Sequence, residues 1–266
     1  MNRIDQRFAD LRAAGQKGFV AYIGAGDPNL EATENIAVAL DVAGVDVLEL
    51  GVPFSDPLAD GLVNQLAAQR GLASGTTPAK LLDSVANIRK RSQVPIVLYI
   101  YYNLIHRRGL DEFIAAAAEA GVDGILALDL PPEEADEYET YMRDTGLCSI
   151  WLVAPTTPEE RIAAITVRGS GFIYYISREG VTGMQQNVAT NMEEATAVIR
   201  KHTELPIAVG FGISNPEQAR KVAACSDAIV VGSAIVNQIA EHGSETNLPE
   251  RVGAFVRTLV DAIKKD

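Results

Sequence analysis

The sequence predicts an α/β fold, a (β/α)8 or TIM barrel, and three features carry that expectation. Eight short apolar, β-branched runs recur along the chain: GFVAYI (18–23), DVLEL (46–50), PIVLYIY (95–101), DGILAL (123–128), SIWLV (149–153), GFIYYI (171–176), PIAVG (206–210) and DAIVVG (227–232). Most are continuously apolar rather than alternating, which suits strands buried on both faces of a parallel sheet. Helical patterns lie between them, so the chain reads as repeated βα units. Its 266 residues fit the ~250 such a barrel usually needs.

Taken in order, the chain opens on MNRIDQRFADLRAAG, where Ile4, Phe8 and Leu11 sit at helical spacing. This predicts an amphipathic helix ahead of the first strand. The segment is charged throughout and lacks the apolar region of a signal peptide. No GxGxxG follows the first run, which weighs against an open doubly wound sheet. Leu81, Val85 and Ile88 mark one helical stripe, Ile162 and Ile165 another, and Val252, Val256, Leu259 and Ile263 a third after the last strand. AIVNQIA, after the eighth run, reads as a short extra helix. AGVDVLEL (43–50) and AGVDGILALDL (120–130) echo each other: a helix-ending glycine, a short entry, then a strand ending in a carboxylate. The echo suits a barrel of repeated units. With no linker in view, one domain spanning 1–266 is expected. Two loops exceed what a barrel needs, one from Val52 to about Gly61 and one over 177–191. Both follow strand C-terminal ends, where barrel active sites sit.

Composition narrows the function. A net charge of −12 argues against nucleic-acid binding, which normally shows a basic face. No apolar run approaches the ~20 residues of a membrane span, so a cytoplasmic protein is expected. Cys148 and Cys225 lack metal-ligand spacing and read as reduced thiols in the core.

Glu49 carries the sharpest chemical signal. Side chains alternate along a strand, so Val47 and Glu49 share one face and Leu48 and Leu50 the other. If the leucines pack against helices, Glu49 points into the barrel near its upper rim. Partial desolvation there raises its pKa toward a value useful for proton transfer. The bland alternative is an internal ion pair, but no Lys or Arg ends any of the eight runs. Asp60, before a glycine in a loop, is by itself ordinary turn chemistry. The ends AVGFGIS (208–214) and VVGSAI (231–236) follow the seventh and eighth runs, where barrels commonly bind phosphate. Gly210 and Gly212 permit close backbone approach, Gly232 and Ser233 open the short extra helix, and Gly183 could complete the cradle. Each glycine alone is weak evidence. No lysine is placed for a Schiff base at the barrel top. Of the three histidines, His106 alone follows a strand on the right side, and it reads as a surface loop residue. A metal site therefore lacks visible nitrogen ligands. Carboxylate acid–base chemistry on a phosphorylated substrate remains.

LELGVPFSDPLADG (48–61), YIGAGDPN (22–29), SREGVTG (177–183), GFGIS and GSAIV together resemble the tryptophan synthase α subunit family, in order and over essentially the whole chain. The resemblance implies cleavage of indole-3-glycerol phosphate to indole and glyceraldehyde 3-phosphate, with no cofactor in this chain. By motif, Glu49 and Asp60 match the two catalytic acids and Tyr174 a tyrosine near the reacting centre. Gly183, Gly210, Phe211, Gly212, Gly232 and Ser233 match phosphate-binding segments. Tyr22, Tyr99, Leu126, Leu128, Leu152 and Phe211 fall where the family lines its indole pocket, though they serve equally well as core residues. Arg178, Gly180 and Thr182 belong to a loop that would close over the site. Asp56, Pro57 and Asn103 fall on the contact surface for a β subunit that carries pyridoxal phosphate in an α2β2 assembly. A free-standing lyase without that subunit is the alternative. The resemblance also implies that Asp60 rides a mobile loop. Ala21, Gly24, Leu62 and Asn64 depart from the family pattern, the last two where it has a proline and a β-branched residue.

Overall fold

The computed structural model describes residues 2–176 and 185–264; side chains are described outside 185–191. Nine strands form one parallel sheet among the described residues. They are β1 (Gly18–Gly24), β2 (Val47–Gly51), β3 (Ile96–Ile100), β4 (Gly124–Ala127), β5 (Cys148–Ser149), β6 (Trp151–Val153), β7 (Ile173–Ile176), β8 (Ile207–Gly210) and β9 (Ala228–Val231). The sheet runs β5-β4-β3-β2-β1-β9-β8-β7-β6. Its two ends, β5 and β6, are consecutive pieces of chain joined by Ile150. The fifth sequence run is thus one barrel stave broken at a single residue, and eight staves close the barrel. Ile150 N–H still bonds Ile125 O at 3.0 Å.

Alternation along the staves sorts two cores. Val20, Tyr22, Val47, Val97, Tyr99, Leu126, Ile150, Phe172, Tyr174, Ala208 and Val230 fill the barrel. Their neighbours, such as Ala21, Leu48, Leu50, Leu98 and Ile229, face the helices and build a larger outer core. Both sets are buried, which is why the strand sequences read as continuous apolar runs.

The first helix, α1 (Arg3–Ala14), closes the barrel's lower end. Asn2 caps it, accepting from Ile4 N–H at 2.9 Å. Ile4, Phe8 and Leu11 enter the inner core, each contributing about 1.5–3 kcal/mol of burial. Phe8 stacks on Phe172 with ring centroids 5.6 Å apart.

The sequence echo has a physical basis. Asp46, Asp123 and Asp227 each precede a strand and accept a hydrogen bond from a backbone N–H on the adjoining strand: Phe19, Ile96 and Ile207, each at 2.8 Å. Each aspartate's own N–H returns the bond to the same residue's carbonyl. Cations neutralise them: Lys264 and Arg7 on Asp46, Arg3 and Arg89 on Asp123, Arg200 on Asp227. The echo fails at its upper end. Glu49 is fully buried, whereas Asp129 is exposed and accepts from Tyr102 N–H at 2.6 Å.

Two helices lie outside the simple repeat. One, α3 (Leu62–Ala73), follows the loop after β2, with α4 (Pro78–Arg89) next in line. The other, α5 (Tyr102–Arg108), follows β3 directly. His106 therefore sits in a helix, not in the expected loop, and is exposed. The expected extra helix after the last strand is α11 (Ser233–His242), ahead of α12 (Leu248–Lys264). Cys148 is buried, but Cys225 is partly exposed, because it ends a helix at the lower rim. No helix among the described residues is long and apolar enough to cross a membrane.

Candidate active site

The barrel mouth is built from strand ends. In β2, Leu48 and Leu50 face the outer core, so Glu49 turns inward between Val47 and Gly51 as the alternation requires. It is wholly buried, and neither carboxyl oxygen has a hydrogen-bond partner among the described residues. Desolvation, seconded by the negative charge of Asp60, pushes its pKa up to about 8. Glu49 is thus protonated at neutral pH, as a buried, unpaired carboxyl must be.

Asp60 approaches from above. Its Oδ1 accepts from the Tyr99 hydroxyl at 3.0 Å and its Oδ2 from the Tyr101 hydroxyl at 2.9 Å. Burial raises its pKa, while the Tyr101, Tyr99 and Asn64 contacts pull it back. Two further hydrogen bonds hold the Asp60 loop in this structure. Ala59 N–H bonds the same Tyr101 hydroxyl at 2.9 Å, and Gln65 holds the Asp60 carbonyl at 2.9 Å. Sequence reading missed Tyr101 because it ends an apolar run and looked like core.

Two further tyrosines, Tyr22 and Tyr174, ring the acids. Tyr22 meets Tyr99 edge to face, with centroids 5.1 Å apart at 73°. Tyr22 and Tyr174 lie in the inner cluster. Both have pKa values raised, first by desolvation and then by the charges of Glu49 and Asp60. They fold over strand-end glycines: a Cβ on Gly51 would lie 2.2 Å from the Tyr22 hydroxyl, and one on Gly210 3.1 Å from the Tyr174 hydroxyl. Bare glycines thus leave space for rings in the top layer.

Leu126 belongs to the inner cluster, and Leu128 and Leu152 pack against it. The last two also border a cleft of about 270 Å³ with Asp129, Pro131, Trp151 and Arg161. Phe211 is half-buried and packs instead against the outer core. Gly210 ends β8, and Gly212 adopts φ +60, a left-handed conformation that favours glycine. Gly232 precedes α11, whose N-terminus carries no side-chain cap and leaves Ser233 exposed. Uncapped N–H groups there can receive an anion. Asp56 and Asn103 are exposed and Pro57 is half-buried. Arg178, Gly180, Thr182 and Gly183 lie outside the described residues.

A buried carboxyl without a partner in the barrel wall and a second held above it by two tyrosine hydroxyls define a (β/α)8-barrel enzyme of the carboxylate acid–base class. A family model described as "Tryptophan synthase alpha chain" matches residues 8–264. The chain belongs to the tryptophan synthase alpha chain family. It is 54% identical over 266 residues to a tryptophan synthase alpha chain of Opitutus terrae, covering 100% of both chains. It superposes on a crystal structure of tryptophan synthase subunit alpha from Legionella pneumophila with TM-score 0.91 at 38% identity, covering 99% and 98% of the two chains. Tryptophan synthase from M. tuberculosis, in an open form with BRD0059 bound, matches with TM-score 0.89 at 29% identity and 99% coverage of both chains.

Proposed function

We propose that Glu49 and Asp60 divide the cleavage of indole-3-glycerol phosphate between them, making this chain a carbon–carbon lyase. Glu49, protonated at rest, delivers its proton to C3 of the indole ring. C3 becomes tetrahedral and positive charge develops on the ring nitrogen. Asp60, held by two tyrosine hydroxyls, accepts the ring N–H as a carboxylate and stabilises that charge. The Glu49 carboxylate then takes the proton of the side-chain hydroxyl. The C–C electron pair returns to the ring, indole leaves with its new C3–H, and the aldehyde forms as glyceraldehyde 3-phosphate. Glu49 ends protonated, as it began. Gly210, Gly212, Gly232 and Ser233 take the phosphate through backbone N–H groups, with Gly183 and the loop carrying Arg178, Gly180 and Thr182 closing above. Tyr174 and the Tyr22–Tyr99 pair shape the space for the ring.

The observation that carries this reading is the setting of Glu49, a wholly buried carboxyl without a hydrogen-bond partner among the described residues, its pKa pushed up to about 8 by desolvation and by Asp60. Asp56, Pro57 and Asn103, on exposed segments beside the mouth, form the docking surface for a β subunit. Pyridoxal phosphate belongs to that partner, and the assembly is α2β2. The test mixes purified chain with indole-3-glycerol phosphate and measures indole, with and without a β subunit. Indole release that rises on adding the β subunit is the expected result. Glu49→Gln should abolish release while leaving substrate binding largely intact; retained turnover refutes the assignment.

A further inference from the structure

Asn64 lies in the first turn of α3, one helical turn beyond Asp60. Its side-chain oxygen Oδ1 is buried without a hydrogen-bond partner among the described residues. Its carboxamide lies near enough to Asp60 to pull the acid's pKa down, as the Tyr101 and Tyr99 hydroxyls also do. That contact favours the charged carboxylate, so the amide nitrogen is the end turned toward Asp60. Oδ1 is then the free end, an unused acceptor beside a reactive acid.

The helix is seated so that this end cannot drift outward. Ala67, three residues on and on the same face, enters the inner cluster. Its Cβ would lie 3.0 Å from a Cβ on Gly24, and a Cβ on Gly71 would lie 2.5 Å from Ala25 O. Arg70 grips the buried carboxylate of Asp27 with two bonds of 2.7 Å. Gly24 thus lets α3 settle onto the barrel mouth, and Asn64 is carried there with it.

A buried acceptor left unpaired costs stability, and native proteins seldom retain one without a use. The protonated Glu49 does not supply the missing donor, since its own oxygens have no partner. A bound ligand can supply that donor. On the reading above, the substrate's side-chain hydroxyl faces Glu49 and its ring N–H faces Asp60. Asn64 adjoins Asp60.

We infer that Asn64 is a substrate-positioning residue whose Oδ1 shares the ring N–H with Asp60, so that the site selects for a ring that carries a donor. An amide dipole aimed at the nitrogen also favours the positive charge that develops there. This rests on the proposed placement of the ring nitrogen at Asp60.

The test compares two probes, an indolyl-alkyl phosphate without the reactive hydroxyl and its benzothiophene isostere, which has no ring N–H. Calorimetry with the full chain gives the affinity ratio of the two. Asn64→Ile should cut the preference for the indole probe about tenfold, with benzothiophene affinity unchanged. Asn64→Gln should restore part of it, and Asn64→Ala, read in parallel, covers any folding defect in the isoleucine variant. An unchanged ratio in both Asn64→Ile and Asn64→Ala overturns the inference. Asp60→Asn separates the two levels. If it lowers the ratio while the Asn64 variants do not, the inference falls and the ring placement stands. If no variant moves the ratio, both fall.

Discussion

Tyr101 fastens Asp60 twice. Its hydroxyl donates to Asp60 Oδ2 and accepts from Ala59 N–H, both at 2.9 Å. One phenol on the rim of the third stave therefore fixes both the carboxylate and the backbone that carries it. Phe54, from the same loop, stacks on its ring with centroids 5.1 Å apart. A charge-stabilising acid works only if it is already in place when charge develops.

Tyr101→Phe keeps the ring and the stacking and removes both bonds. We expect kcat/KM to fall roughly tenfold, about the worth of one charge-assisted hydrogen bond, with little loss of thermal stability. Removing a donor to the carboxylate also raises the Asp60 pKa, so the acid limb of the kcat/KM profile should move to higher pH. Steady-state kinetics across pH on both proteins checks this.

Gly51→Ala reaches the same acid by a longer path. The added methyl would sit 2.2 Å from the Tyr22 hydroxyl and 2.7 Å from its ring carbon Cζ, so the ring must move. Tyr22 packs edge-on against Tyr99, and Tyr99 holds Asp60 Oδ1. Activity should drop at least tenfold, with the near-ultraviolet tyrosine signal altered and far-ultraviolet helicity unchanged. Unchanged kinetics would break the proposed chain of contact.

Asp123 stands at the opposite end of the barrel and separates stability from catalysis. It satisfies Ile96 N–H and binds Arg89 at 2.6 Å and Arg3 at 2.8 Å. Asp123→Ala strands a buried N–H and the mostly buried Arg89. The expected loss is roughly 3–5 kcal/mol, as for other broken buried pairs, read as the shift in urea midpoint. Turnover of the folded protein at 25 °C should be unchanged.

The barrel was legible in the sequence because its strands are buried on both faces and its helices carry their own stripes. Glu49 was legible for the same reason, as one charge inside an apolar run whose parity points inward. What escaped depends on contacts between distant positions. The sequence of α3 shows little amphipathic stripe, since its inner face is built from small residues, Ala67 and Gly71, that fit against β1 rather than from large apolar ones. The break at Ile150 and the tether from Tyr101 to the loop arise from closure of the sheet, which local pattern does not encode. Asn64 stood out as a departure in the loop's sequence, but its unpaired oxygen is visible only once the helix is placed.

Glu49 couples stability to catalysis, and its pKa sets the sign of both. Its carboxyl is held at about 8, against an ordinary 4.5. Between those values the folded chain keeps a proton that the unfolded chain has released. Stability contributed by this group is therefore lost as pH rises from 4.5 to about 8 and is flat beyond. At about 1.4 kcal/mol per tenfold change in proton affinity, the ceiling on that loss is about 5 kcal/mol. Glu49→Gln cannot ionise, so its denaturation midpoint should gain on the parent protein's across that window, with the two converging in dependence below pH 4.5. The catalytic profile runs with the same group. Because the proposed first step spends a proton from Glu49, kcat/KM should fall as pH rises through about 8, and it should fall again on the acid side once Asp60 is neutralised. Urea titrations at pH 5, 7 and 9, paired with kcat/KM over the same range, check both. If activity instead climbs through pH 8, Glu49 starts the reaction as a base, and the order of proton transfers is reversed.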